Sequence, residues 1–363
     1  MECSGSINAK DLPKLVPSTR YQGSKRQILP WLYQNLKDLE FDTVLDGFGG
    51  TGSVSYMFKK MGKQVTYNDL LVSNYYTGLA FIKNDLIKLE KDDIEFITHE
   101  NGYLYPTFIQ DTFKDIYYLD SENKWLDIVN YNISMLAERY HKTELKTKQA
   151  LAYHALLQAC LCKRPFNLFH RKNLYLRLAN VDRSFENKKM WDTDFALLFT
   201  RFVDEGSNKV FSNGKKNRAT NKDIMKIKNK DFDLIYIDPP YIRNNDREPV
   251  DYYSHYHFFE GIVDYDNWGL RIDETRKNKC LIKEKNQWRD TNSLDGFRHL
   301  FEEFQDSKIA ISYGSPGIPD IRDIIRLLKK YKSKVSVKKR EYSYKLNHKN
   351  GEGMYEVLII GNS

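Results

Sequence analysis

The sequence has no apolar run near the ~20 residues that a membrane-spanning helix requires, which excludes a helical membrane protein. Only four cysteines are present and none forms a C-x-x-C pair, so a disulfide scaffold is excluded as well. The residues up to Pro17 contain no apolar segment typical of a secretion signal. We therefore expect reduced thiols in a cytoplasmic protein.

The 363-residue chain carries 57 Lys and Arg against 49 Asp and Glu, a net charge of +8, and 41% of its residues are hydrophobic. A chain of this length usually forms two domains, or one core with a large insertion. The 25 Tyr and 20 Phe raise the aromatic share to 14%. Aromatic rings beside cations suit stacking on nucleic-acid bases as well as core packing, so composition alone does not decide between these uses.

The first part of the chain has the pattern of a βαβ unit. The predicted elements are a helix from Ser24, a strand at 43–46, a tight loop at 47–52, a helix at 53–61 and a strand at 65–69. Two strands joined by a helix over so short a stretch predict a parallel sheet with a right-handed crossover. The sequence therefore predicts an α/β fold.

Residues from about 84 to 204 break this rhythm, because they are Tyr-rich, mostly helical in pattern and without an apolar strand. Strand patterns return afterwards at 232–238, 308–312, 334–337 and 355–360, with a helix at 321–331. We therefore predict one sheet domain built from residues 1–83 and 205–363, interrupted by an inserted domain at 84–204.

The loop at 47–52 fits two kinds of cofactor site. Gly47, Gly49 and Gly52 match G-x-G-x-x-G, and Asp69 ends the next strand, as in a dinucleotide site. The same loop also reads as Asp46-x-Phe48-x-Gly50-x-Gly52, the pattern of S-adenosylmethionine (SAM) methyltransferases. Both kinds of site use an acidic residue after the second strand to bind a ribose diol. This loop alone does not separate them.

A second motif, Asp238-Pro239-Pro240-Tyr241, directly follows an apolar strand. A carboxylate there lies at the carboxyl edge of the sheet, where open α/β folds bind ligands. Two prolines remove two N–H donors, so the turn offers acceptors only. Asp238 and the Pro239 carbonyl together suit the two N–H donors of an exocyclic amino group, and Tyr241 offers a ring face for the base. The motif predicts a catalytic site of Asp238, Pro239, Pro240 and Tyr241.

Four motifs in order resemble the DNA adenine-N(6) methyltransferases of the Dam-like class. They are Tyr21-Gln22-Gly23-Ser24-Lys25, the loop from Asp46 to Gly52, Asn68-Asp69, and Asp238-Pro239-Pro240-Tyr241. The resemblance implies a Rossmann-like methyltransferase sheet with a mostly helical target-recognition insertion. It also implies SAM as cofactor without a metal, and methylation of an adenine flipped out of double-stranded DNA. Such enzymes occur in the prokaryotic or phage cytoplasm, alone or with a restriction endonuclease that acts on the same site.

The resemblance also assigns cofactor-binding residues. Tyr21 and Lys25 contact SAM, and Lys25 suits the SAM carboxylate as a point charge. The loop including Asp46, Phe48, Gly50 and Gly52 holds the methionine end, Asp69 takes the ribose hydroxyls, and Asp238 faces both cofactor and target. Asp223 is assigned to the SAM adenine only because of its spacing before the tetrad Asp238-Pro239-Pro240-Tyr241. Gly47 departs from the family, which often has Pro there.

Two features indicate DNA contact. The segment 209–230 holds eight Lys and Arg with one acid, and 322–340 holds nine with one acid, which suits binding of phosphates. Within the insertion, residues 163–175 interleave cations, amides and aromatics, and Arg and Asn are the side chains that read guanine and adenine edges. The predicted DNA-binding residues are Arg164, Asn167, Arg171, Lys172, Lys215, Lys216 and Arg218.

Three alternatives remain at this level. A cytosine-N(4) methyltransferase binds the same donor pattern, although that group more often has Ser in place of Asp238. A nicotinamide dehydrogenase explains the glycines and Asp69 but gives Lys25 and Tyr241 no role. A catalytically inactive DNA-binding relative is the third. His255 and His257 form an H-x-H pair, but without Cys or carboxylate at ligand spacing we predict no metal site.

Overall fold

The structure is a computed structural model that describes residues 7–179, 186–229, 231–240, 251–282, 287–290, 293–341 and 355–362. Tyr241 lies outside these ranges. The strands are β1 (Thr43–Asp46), β2 (Gln64–Asn68), β3 (Arg218–Thr220), β4 (Leu234–Ile237), β5 (Lys308–Ser315), β6 (Lys334–Glu341) and β7 (Tyr355–Asn362). Together they form one seven-stranded sheet in the order β3-β2-β1-β4-β5-β7-β6.

Five strands of the sheet, β1 to β5, run parallel, and β7 is antiparallel to both of its neighbours. The predicted α/β class is thereby confirmed. The three-residue strand β3 was not predicted, because Arg-Ala-Thr has no apolar run that would mark it.

The helices before the long helical region are α1 (Leu12–Leu15), α2 (Leu29–Leu36), α3 (Ser53–Lys60) and α4 (Val72–Thr77). A 3-10 turn, Lys25–Ile28, precedes α2, and Ser24 caps this turn by accepting from the backbone N–H of Arg26. Pro30 falls in the first turn of α2, where its missing N–H breaks no helical bond. Lys25 is thus the first residue of a capped turn that leads directly into α2.

The helical region contains α5 (Lys91–Thr98), α6 (Phe108–Thr112), α7 (Asp120–Met135), α8 (Lys142–Cys162), α9 (Tyr175–Leu178), α10 (Glu186–Asp192) and α11 (Phe195–Ser207). The central helix α8 is buried along most of its length and packs on α11 and α4. Its apolar residues belong to the same core cluster as those of α2 and α3. This region therefore shares its core with the sheet and does not form a separate one.

The remaining helices are α12 (Tyr252–Val263), α13 (Gln287–Asp290), α14 (Ser293–Glu303) and α15 (Ile321–Leu328). Side chains of the central strands alternate between two apolar clusters, because neighbouring residues of a strand point to opposite faces. In β4, Leu234 and Tyr236 join the cluster with α8, whereas Ile235 and Ile237 join the cluster with α14 and α15. The sheet is thus covered on both faces. None of the helices seen in these ranges is both long and apolar enough to cross a membrane.

Candidate active site

A cavity of about 210 Å³ opens at the carboxyl ends of β1, β2 and β4. Its walls bring together eight of the nine predicted cofactor residues, with Pro239 and Pro240 of the tetrad beside them. These eight are Tyr21, Lys25, Asp46, Phe48, Gly50, Asp69, Asp223 and Asp238. The ninth, Gly52, is the N-cap residue of α3 behind the loop. The two motifs that are far apart in sequence therefore share one site.

The glycine loop is held open by backbone conformations that side chains with a Cβ rarely adopt. Gly50 and Gly52 have φ of 51° and 71°, in the left-handed region. The Tyr67 hydroxyl donates to the Gly50 carbonyl at 2.7 Å. Gly47 donates its N–H to the Tyr236 carbonyl of β4 at 3.0 Å, a bond that the proline common in the family could not make. The loop is thus fixed between β2 and β4.

Asp69 connects the loop to the segment after β2. One carboxylate oxygen, Oδ2, accepts from the Gly50 N–H at 2.7 Å, and the other, Oδ1, accepts from the Leu71 N–H at 2.8 Å. Burial raises the pKa of this carboxyl, and the backbone N–H groups oppose that rise. Asp69 lines the cavity, so its carboxylate is within reach of a bound ligand, and carboxylate oxygens accept from hydroxyls.

Asp46 is almost fully buried at the end of β1. Its Oδ2 accepts from the Ser55 hydroxyl at 2.7 Å, while Oδ1 has no hydrogen-bond partner. Burial raises the pKa of Asp46 to about 7, the bond from Ser55 lowers it, and the nearby carboxylates of Asp238 and Asp69 add to the rise. An unpartnered buried carboxylate oxygen on a ligand cavity is a site for a cationic group.

Asp238 follows β4 and forms an ion pair with Lys25. The Lys25 ammonium lies 2.9 Å from Asp238 Oδ1 and 3.1 Å from Glu356 Oε1, so it joins two carboxylates. Burial raises the pKa of Asp238 to about 6, Lys25 lowers it and Glu356 raises it. Asp238 is therefore mostly ionised at neutral pH, when it can accept hydrogen bonds.

Trp288 of α13 also lines the cavity, and no sequence motif marked it. Its indole N–H donates to the Pro240 carbonyl at 3.4 Å, and its ring meets Phe48 edge to face with centroids 5.1 Å apart. Asp223 lies beside it, accepting from the backbone N–H groups of Met225 and Gln287. These contacts tie α13 to the tetrad and to the predicted adenine end of the cavity.

Three tyrosines with nearly parallel rings meet at another wall of the cavity. The Tyr21 ring stacks on Tyr256 at a centroid distance of 3.9 Å and lies 5.8 Å from the Tyr252 ring. The Tyr256 hydroxyl accepts from the Gln22 N–H at 2.8 Å. Helix α12 is thus attached to the N-terminal motif, and its first residues line the cavity with Tyr21.

Residues 21–311 match the sequence model of the D12 class of N6 adenine-specific DNA methyltransferases. This match covers most of the chain. The chain belongs to that class. Its substrate is therefore DNA, its target an adenine amino group, and its methyl donor is the SAM that the class implies. The cytosine and nicotinamide alternatives are thereby rejected.

The names of three similar proteins are consistent with this family. Type II methyltransferase M2.HphI of Haemophilus parahaemolyticus is 26% identical over 354 residues, 95% of this chain and 97% of that protein. Modification methylase StsI of Streptococcus sanguinis is 28% identical over 94% of this chain, which spans 51% of that relative. Type II methyltransferase M.NlaIII of Neisseria lactamica is 24% identical over 86% of this chain and 88% of that protein.

In the predicted recognition segment of this D12 methyltransferase, the structure places one predicted DNA-binding residue in the core. Arg164 is buried, and its guanidinium donates to the carbonyls of Leu168, Tyr117 and Arg171. It also lies 4.3 Å from the centroid of the Tyr117 ring. These contacts place the Arg164 guanidinium in the core, where it stabilises the loop from inside and is not exposed for contact with a base.

The rest of the segment reaches the surface. Arg171 and Lys172 are exposed, Asn167 is partly exposed, and Phe166 is 68% exposed with a φ of 63°. The segment lies beside α12, since the Phe169 N–H donates to the His255 carbonyl at 2.9 Å. It therefore neighbours the helix whose first residues line the methyltransferase cavity.

A turn after α12 adds two cations that the sequence reasoning missed. Arg276 and Lys277 are exposed there, and Asn278 donates to the Phe169 carbonyl at 3.0 Å. The turn thus packs on the recognition segment and places these cations beside it, with Arg276 3.5 Å from the carboxylate of Asp273. Their only sequence signal is the run Arg-Lys-Asn-Lys.

The predicted phosphate-binding residues Lys215, Lys216 and Arg218 are exposed but lie elsewhere. Asn213, just before them, donates to the carbonyls of Lys59 and Lys63 at the C-terminal end of α3. That end of the helix is opposite the glycine loop. Lys215 and Lys216 therefore lie toward that end, Arg218 begins β3, and none of the three lines the cavity.

The H-x-H pair belongs to α12. His257 is buried, and its Nε2 lies 2.8 Å from the Tyr117 hydroxyl, while His255 meets His170 edge to face. Burial lowers the pKa of His257 to about 3, so it stays neutral at physiological pH. Both rings pack the recognition segment against the helix.

Proposed function

We propose that the cavity binds SAM and presents Asp238 and the Pro239 carbonyl to the amino group of an adenine turned out of duplex DNA. The supporting observation is that Asp238 and the glycine loop share one cavity, although 186 residues or more separate them in sequence. A turn that offers acceptors only, beside a cofactor loop, suits an amino group that must be held and attacked.

The cavity residues fit SAM. The unpartnered Oδ1 of Asp46 suits its ammonium, and Lys25 suits its carboxylate. Asp69, on the cavity wall after β2, takes the ribose hydroxyls. The backbone from Phe48 to Gly52 follows the methionine end, and Tyr21 covers it.

The other end of the cavity suits the adenine of SAM. Phe48 and Trp288 offer apolar ring surface, and Asp223 is the acceptor beside them. This assignment keeps the spacing-based prediction for Asp223, whose carboxylate already orders the nearby backbone.

When bound, SAM supplies a methyl group on a sulfonium that leaves as a neutral thioether. Asp238 accepts one N–H of the target amino group and the Pro239 carbonyl accepts the other, which turns the nitrogen lone pair toward the methyl. As the nitrogen–carbon bond forms, positive charge grows on nitrogen, and the carboxylate of Asp238 stabilises it. The surplus proton then passes from nitrogen to Asp238 and on to water. Tyr241 stacks on the base in this proposal, which for this residue depends on sequence alone.

DNA lies, in this proposal, across the recognition segment and the turn packed on it. Arg171, Lys172, Arg276 and Lys277 contact phosphates or base edges, and Asn167 reads a base edge. The exposed ring of Phe166, held in a left-handed turn, fills the space that the extruded adenine leaves. Lys215, Lys216 and Arg218 are not part of this surface.

The biological role proposed is site-specific modification that protects DNA from a restriction endonuclease. It is supported by the names of the relatives, two type II methyltransferases and one modification methylase. Sequencing DNA from a host that expresses the chain, with detection of methylated adenine, reads out the recognition sequence. Methylated adenine scattered without a common sequence would contradict site-specific modification.

The decisive test is the variant Asp238→Ala. It removes the acceptor for the amino group and leaves the DNA surface intact, so transfer of labelled methyl falls by about 10³-fold or more while DNA is still retained at low salt. Glu303→Gln, a charge loss at the opposite end of the sheet, is the matched control and keeps full activity. Transfer by Asp238→Ala near the unaltered rate would refute the proposal.

A further inference from the structure

Glu356 of β7 is a buried carboxylate on the ion pair of the active site, and neither the sequence motifs nor the proposed chemistry uses it. Only 7% of its surface is exposed. Its Oε1 accepts from the Ser312 hydroxyl at 2.6 Å and lies 3.1 Å from the Lys25 ammonium. A buried charge is costly unless its position is fixed by partners, and here both partners are present.

We propose that Glu356 is a positioning residue for methyl transfer, which shares the Lys25 ammonium with Asp238 and so prevents Lys25 from fully neutralising Asp238. This inference rests on the proposed role of Asp238 as the acceptor for the amino group. Two carboxylates contact one ammonium, so the cluster carries one negative charge in excess when both are ionised. Asp238 therefore keeps basicity that a single ion pair would remove.

The geometry makes the coupling strong. Asp238 Oδ1 and Glu356 Oε1 contact the same nitrogen, Lys25 Nζ, so these two oxygens are at most about 6 Å apart. At that distance, two charges in a partly buried site interact by more than thermal energy. Ser312 fixes Glu356 from β5, so the carboxylate cannot turn away without losing this bond. Lys25 thus stays between its two partners.

Other groups near Asp238 do not replace Glu356. Asp46 of β1 interacts with Asp238 as a like charge, and Tyr236 of β4 is a neutral phenol because burial raises its pKa well above the usual value. On the far side of Glu356, Arg340 of β6 is its register partner. Among these groups, Glu356 alone contacts Lys25. Glu356 is therefore the carboxylate that shares the Lys25 ammonium with Asp238.

The test is the variant Glu356→Gln, which removes the charge while its amide oxygen can still accept from Ser312. Lys25 then keeps its contact with Asp238 but loses the carboxylate of Glu356, so its charge acts more strongly on Asp238 and Asp238 becomes a weaker base. Activity requires ionised Asp238 and is lost as pH falls through its pKa. The acid limb of kcat against pH therefore moves down by about one unit, and kcat on the plateau falls several-fold.

A second measurement does not depend on activity. Carbon-13 carboxyl NMR of ligand-free protein labelled at Asp follows the titration of Asp238, whose signal is the one missing in Asp238→Asn. We expect its midpoint to fall in Glu356→Gln by the same amount as the acid limb. Glu303→Gln, which removes the partner of exposed Lys228, leaves both readouts unchanged.

Glu356→Asp supplies a second variant if Glu356→Gln does not fold. It keeps the negative charge but moves it away from Lys25, so the titration midpoint of Asp238 falls by less than in Glu356→Gln. An unchanged or raised midpoint in whichever variant folds overturns the role of Glu356. If Asp238→Asn abolishes transfer at the same time, the proposed function stands and only this inference fails, whereas an active Asp238→Asn refutes the function itself.

Discussion

The rings of Tyr21 and Tyr256 stack with centroids 3.9 Å apart and planes inclined by 14°. This contact joins the N-terminal motif to α12, and the hydrogen bond from Gln22 to the Tyr256 hydroxyl strengthens the junction. Because α12 is also bonded to Phe169 of the recognition segment, one helix touches both the cavity and the surface proposed to bind DNA. SAM binding and DNA binding are therefore expected to depend on each other.

Tyr256→Phe tests this junction. It keeps the stack but leaves the Gln22 N–H without its acceptor, which costs about 1 kcal/mol or more and weakens SAM binding by about fivefold. Tyr256→Ala also removes the ring and weakens binding further. Calorimetric titration with SAM, without and with DNA, measures both effects. Equal affinities in the Phe variant and the unaltered protein would show that the hydrogen bond does not shape the cavity.

Asp46→Asn is expected to stabilise the ligand-free protein and weaken SAM binding. The folded state holds the pKa of Asp46 at about 7, above the value of an unfolded chain, so stability falls as pH rises from about 4 to 7. Asn cannot ionise, so the stability of the variant does not fall in this way as pH rises. At pH 8 the free energy of unfolding should rise by about 2 to 4 kcal/mol, with no gain at pH 4.

Chemical unfolding at the two pH values measures the effect on stability, and calorimetry measures SAM binding. The SAM affinity should fall about tenfold or more, because the ammonium loses its charged partner. A variant that is equally stabilised at both pH values would show that ionisation of Asp46 is not the cause.

Arg171 and Lys172 are expected to bind DNA, whereas Lys215 and Lys216 are not. Replacing the first pair by Gln should flatten the dependence of log affinity on log salt by roughly one unit for each phosphate that is no longer bound. The same change at the second pair removes equal charge at the other end of the sheet, so it is the matched control. Fluorescence anisotropy across a salt series compares them. Equal flattening in both variants would place DNA along a different path.

Arg164→Met should destabilise the fold without changing sequence preference. The change removes the donor of three carbonyls, two in buried hydrogen bonds and one in a partly buried one, at a total cost of about 3 kcal/mol. Arg171→Met, at the surface, should cost about 0.5 kcal/mol or less. Thermal unfolding compares the two. Full stability of Arg164→Met together with relaxed specificity would restore the base-reading interpretation.

The sheet and the cavity were predictable because their signals are local. A strand followed by glycines, or by two prolines, marks its own carboxyl end, and parallel strands bring these ends to one edge. Asp46, Asp69 and Asp238 could therefore be placed at one edge from the amino-acid pattern. The family motifs added Tyr21 and Lys25, which have no local pattern that fixes their position.

Other parts of the site depend on contacts that sequence does not show. Glu356 reaches Lys25 across most of the chain, and an acidic residue in an apolar strand gives no sign of its partner. Arg164 sits in a cation-rich loop typical of DNA contact, yet aromatic rings and carbonyls hold it inside. Lys215 and Lys216 have the expected charge, but they precede β3, which runs parallel to β2, and so lie at the amino end of that strand.

The strand order also has a consequence for the timing of assembly. β7 lies between β5 and β6 although it follows both in sequence, and within the described sheet β6 pairs with β7 alone. A growing chain therefore cannot add β6 to the sheet until β7 has been synthesised and has entered the space beside β5. Glu356 arrives with that same strand, so Lys25 gains its second carboxylate in the step that completes the sheet. A nascent protein should thus acquire its finished reaction centre late, in one event with closure of its core.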